Sequence, residues 1–161
     1  MASKRPIIRQ VSLNAVVLQI FIIWAMMGLA RLAGFNDPFV PIVIVYLCLF
    51  IGLRKMIPRN HRRGVAFLRV KEFEKAAQEF EASYRFFERH PWLDRFRYLT
   101  LLSASRISYR EMALLNSAYC YGLIGDGRKM KEYYEKALQR FPDSDIAKLS
   151  LQMIESARNS A

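Results

Sequence analysis

The chain has 161 residues, 53% of them apolar and 24% charged, with 25 Lys and Arg against 14 Asp and Glu for a net charge of +11. That length holds one modest domain, and two cysteines with two histidines in no ligand-like spacing exclude a disulfide scaffold and leave little to build a metal site from. The positive excess is local: residues 1–63 hold nine basic residues and one acid, Asp37, for +8, while residues 64–161 hold sixteen and thirteen, for +3. A nucleic-acid surface on the C-terminal part is thereby excluded, because its charges are interspersed and nearly balanced.

In chain order, a basic N-terminus over residues 1–10 precedes an uncharged run from Val11 to Ala30, which would cover about 30 Å as a helix and match a hydrocarbon layer. A second run from Pro38 to Leu53 is shorter, but Met56 and Ile57 extend it while Arg54 and Lys55 can reach towards headgroups. Between them Gly34, Asn36, Asp37 and Pro38 make a turn, with Pro38 suited to the first turn of a new helix. The expectation is a two-helix transmembrane hairpin over residues 11–57. Lys4, Arg5 and Arg9 before it and Arg54, Lys55, Arg59, Arg62 and Arg63 after it, against Arg31 alone in the loop, place both termini in the cytoplasm of a multi-pass protein of a bacterial inner membrane. The five basic residues after the second run also form a cluster for anionic headgroups, at about 1 kcal/mol per residue near the surface.

Residues 58–161 read as a helical domain. The chain matches itself at an offset of 54: Gly64 with Ala118, Phe67 with Tyr121, Ala76 with Met130, Phe80 with Tyr134 and Ser83 with Ala137. Small residues where helices approach and aromatics three and four positions away suit paired antiparallel helices. Expected helices run over residues 62–70, 72–89, 109–124 and 128–140, with a last one from Ser144. Pro142, Asp143, Ser144 and Asp145 stop one helix and start the next, and Ile146, Leu149, Leu151, Met153 and Ile154 give that last helix an apolar stripe. Gly125, Asp126 and Gly127 form a turn.

The pattern resembles the tetratricopeptide repeat. The second copy (111–142) carries Leu114, Ala118, Tyr121, Gly125, Tyr134, Ala137 and Pro142, and the first (58–90) carries Gly64, Phe67, Phe73, Ala76 and Phe80. The family's period is shorter than 54, so residues 91–109, rich in Trp92, Phe96, Tyr98, Leu99, Leu101 and Leu102, form an insertion, and residues 144–158 form a capping helix. The fold expected is therefore all-α: a transmembrane hairpin followed by a short repeat domain. The resemblance implies a protein-binding groove at His61, Val65, Leu68, Arg69, Met112, Leu115, Tyr119 and Leu123, mostly apolar. Val65 and Tyr119 stand where chaperone-tail binders carry asparagine, which argues against that ligand.

No Ser/His/acid set, Cys/His pair or glycine-rich phosphate loop is present, and Glu72, Glu74, Glu79, Glu81 and Glu88 read as a solvated helix face, so the chain is expected to be no enzyme and to need no cofactor or metal. Its partners would be other proteins, anionic lipid and a second copy of itself in a homo-oligomer. The function expected is a membrane-anchored scaffold or assembly factor, with a structural accessory subunit of a membrane complex, held through its transmembrane helices, as the alternative.

Overall fold

The structure is a computed structural model that describes residues 13–56, 58–97, 105 and 107–159. These form eight α-helices: α1 (Leu13–Leu32), α2 (Phe39–Met56), α3 (Arg59–Arg69), α4 (Phe73–Arg89), α5 (Pro91–Arg95), α6 (Tyr109–Ile124), α7 (Gly127–Arg140) and α8 (Asp145–Asn159). They divide into two compact units, one within residues 1–57 and 95–107, the other within residues 58–94 and 108–161.

In the first unit α1 closes on Gly34, whose φ of 90° is the left-handed conformation that ends a helix without a Cβ penalty. The amide of Phe35 then donates to the Ala30 carbonyl at 3.1 Å. Pro38 and Ile42 are buried at the start of α2, while Phe21, Trp24, Leu29, Leu32 and Phe39 stay more than half exposed.

Among the described residues no helix is long and apolar enough to cross a membrane. The expected two-span hairpin over residues 11–57 is corrected on this ground, and with it the multi-pass inner-membrane placement, the cytoplasmic assignment of both termini and the membrane anchoring of the C-terminal helices. The basic residues at 1–10 lie outside the described residues, as do the side chains of Arg54 and Lys55. Arg59, Arg62 and Arg63 are exposed on α3, and Arg63 Nη1 lies 3.8 Å from Glu79 Oε1.

Apart from the short α5, each long helix of the second unit packs on the next. α4 meets α6 most extensively, α6 then packs on α7, α3 on α4 and α7 on α8. The apolar stripes explain the order. Ala76, Ala77 and Phe80 of α4 meet Cys120 of α6 beneath Val65, Phe67 and Leu68 of α3. Tyr84, Ala113, Leu114, Leu115 and Ala118 continue the core to Tyr134 and Ala137 of α7 and Ala147 of α8. Gly64 is required where α3 crosses α4, because a Cβ there would stand 2.8 Å from the Phe80 ring.

The turn between α6 and α7 uses both of its neighbouring residue types. Gly125 (φ 90°) ends α6 in the left-handed region, and Asp126 Oδ1 accepts from the Lys129 amide at 2.9 Å to cap α7. α8 seats Ile146, Ala147, Leu151 and Ile154 against the core but leaves Leu149 and Met153 exposed at 59% and 66%. The expected five-residue stripe is thus split between two sides of the helix.

Small residues line the α4 to α6 crossing, and two of them are hydroxylated without benefit: the Oγ atoms of Ser83 and Ser117 are buried with no hydrogen-bond partner. A buried hydroxyl left unpaired carries its desolvation cost. Ser83→Ala is therefore expected to stabilise the chain by about 1 kcal/mol, read as a higher urea midpoint with an unchanged m-value. A lower midpoint would show that the hydroxyl is satisfied in solution.

Candidate protein-interaction face

α3 and α6 carry the eight residues expected to form a groove, and the structure separates them into two sets. His61 and Leu115 belong to the core, at 9% and 7% exposure, and Leu68 packs with Val65 over Phe80. On α6, Met112, Tyr119 and Leu123 are half-buried, and so is Asn116. Spaced three and four residues apart, these four form one stripe along a helix whose remaining sides are largely buried. Arg62 and Arg69 form the corresponding open edge of α3, while Val65 packs partly buried against the Phe80 cluster. Asn116 was not singled out by the repeat pattern. Its signal was the spacing alone, since it falls on the same stripe as Tyr119 and Leu123.

The two histidines differ in environment, and only His90 lies at the surface. Its Nδ1 lies 3.0 Å from the Phe86 carbonyl. His61 instead stands edge-on to the Phe80 and Tyr109 rings, with centroids at 5.3 and 5.4 Å, and its Nδ1 has no hydrogen-bond partner. Burial pushes its pKa down to about 4, partly offset by the Asp94 carboxylate. The unfolded chain, with His61 near 6.5, binds more protons between those values, so stability falls as pH drops from about 6.5 to about 4. The expected loss is about 3 kcal/mol. Denaturant unfolding at pH 7 and pH 4.5 measures it, and His61→Phe should remove most of the slope; an unchanged slope would assign the acid sensitivity elsewhere.

Asp94 anchors the start of α6. Its carboxylate is fully buried; Oδ1 accepts from the Tyr109 amide at 2.7 Å, and Oδ2 accepts from the Arg110 amide at 3.2 Å and from Arg110 Nε at 3.0 Å. Ser108 Oγ accepts from the Glu111 amide at 3.1 Å, so two side chains cap one helix. Residues 98–104 and 106, which include Tyr98, Leu99, Leu101, Leu102 and Arg106 of the expected insertion, lie outside the described residues.

Glu81 likewise departs from the solvated face expected of the α4 glutamates. Its Oε1 accepts from Tyr121 Oη at 2.7 Å and from Tyr133 Oη at 2.6 Å, tying α4 to α6 and α7. Burial and then this carboxylate push both phenols up. Lys129 Nζ sits 4.8 Å above the Tyr121 ring and Lys136 Nζ 4.7 Å above Tyr84. Tyr84 Oη donates to Glu88 Oε1 at 2.9 Å, which Arg140 Nη2 approaches to 3.3 Å. Only the rim of this network meets solvent, and its groups are paired with one another.

Cys48 and Cys120 are free, and burial pushes the Cys120 thiol up to about 12, which keeps it protonated at neutral pH. Among the described residues no group of three His, Cys, Asp or Glu could hold a metal ion. No family model matches the chain, and neither a curated protein nor a solved structure matches it.

Proposed function

We propose that the chain is a non-enzymatic helical scaffold that binds another protein along the α6 stripe, in the manner of a short tetratricopeptide-like domain. The observation that carries this reading is the alignment of Met112, Asn116, Tyr119 and Leu123, all half-buried, along one side of α6. Aromatic and Met side chains are enriched where proteins meet, and a central amide fixes register through hydrogen bonds. The helix is held rigidly by Asp94, Ser108 and Gly125, so binding would cost little ordering of the backbone.

Cross-linking and affinity capture of the full chain from its native cells tests the reading. Tyr119→Asp with Leu123→Asp should abolish capture of the principal partner while leaving the helical circular-dichroism spectrum unchanged. Leu115→Asp is unsuitable, since it would unfold the core. Retention of every partner by the folded double variant would refute the proposal.

A further inference from the structure

The outer side of α8 leaves two large apolar side chains uncovered. Helix stacks of this kind cover the apolar sides of each helix with neighbours. On α8, Leu149 and Met153, one turn apart, stand 59% and 66% exposed beyond the residues that seat it on the core. Lys148 and Glu155, two turns apart and therefore on one flank, are exposed, and among the described residues neither forms an ion pair.

We propose that this face is covered by the same face of a second copy, with the two α8 helices antiparallel about a two-fold axis near residue 151. The charges single out this occupant. An antiparallel pairing that puts Leu149 against the second copy's Met153 also brings Lys148 to its Glu155, and symmetry repeats both contacts. Both pairings centre within one residue of each other, so one register satisfies them together. Such an isologous contact closes on itself and stops at two copies. Two apolar residues per copy cover less than the roughly 1,200 Å² of a standard stable interface, so the dimer is weak and concentration-dependent.

Gln152 falls beside the axis, opposite its own counterpart, and gives a direct test in the full chain. With Cys48→Ser removing the exposed thiol, Gln152→Cys should form a disulfide-linked dimer on mild oxidation severalfold faster than Glu132→Cys, an exposed control on α7. Adding Lys148→Glu sets like charges against each other and should slow the cross-link severalfold, whereas Lys148→Glu with Glu155→Lys should restore it. Leu149→Asp should abolish it. Equal rates at 152 and 132, indifference to the charge reversal, or cross-linking only to a different protein would each overturn the proposal.

Discussion

Asp94→Ala is expected to destabilise the chain by about 4 kcal/mol, the largest effect of any single polar substitution in it. The carboxylate has no exposed surface and satisfies three donors, two of them backbone amides in the first turn of α6. Removing it takes the acceptor from the buried Tyr109 amide and from the Arg110 amide, uncaps α6 and leaves the partly exposed Arg110 guanidinium without its partner, and buried donors left unmade are costly. Asp94→Asn keeps one acceptor and the shape, so it should cost about half as much. The partner change, Arg110→Met, should cost less than Asp94→Ala, because Arg110 is partly exposed while the amides keep their carboxylate. Urea unfolding of the three variants, followed by far-ultraviolet circular dichroism, gives the order. If Arg110→Met proved the most damaging, the ion pair rather than the helix cap would be what Asp94 supplies.

Phe80→Ala should cost about 4 kcal/mol. The ring is fully buried between α3, α4 and α6, and its removal opens a cavity that the enclosing helices cannot close. The same ring is what forbids a side chain at residue 64. Gly64→Ala places a methyl 2.8 Å from it and should cost roughly 2 kcal/mol by overpacking, yet in the Phe80→Ala background it should be harmless or restoring, since it fills part of the void. The double variant therefore separates steric fit from helix propensity. Strict additivity of the two costs would mean that the small residue at 64 is not there to admit Phe80.

How much of this was written legibly in the chain differs by element. The helices from residue 58 onward follow from periodicity and punctuation: α6 runs from Tyr109 to Ile124 as the pattern indicates, and Gly125 with Asp126 ends one helix and opens the next. α3 begins three residues before the expected Arg62, because Pro58 supplies the preceding carbonyl to the Arg62 amide without any side-chain cap to announce it. The candidate face was legible only as a set of slots. Repeat spacing could place His61 and Leu115 on the correct helices but not decide which way each side chain leans, and both lean into the core. Asp94 and Glu81 were invisible for a different reason: their partners lie fifteen to fifty-two residues away, and a carboxylate carries no sign in the sequence of whether water or a buried donor will meet it. In the N-terminal part the uncharged runs predict two spans, but among the described residues no helix is long and apolar enough to cross a membrane.

The head-to-tail order of packing in the second unit has a kinetic meaning. Extensive contacts join α3 to α4, α4 to α6, α6 to α7 and α7 to α8, so little of the assembly waits for distant parts of the chain to meet. Each helix can dock as soon as its predecessor is in place, which suits folding during synthesis, and the same order lets the assembly unzip from its ends without first melting its middle.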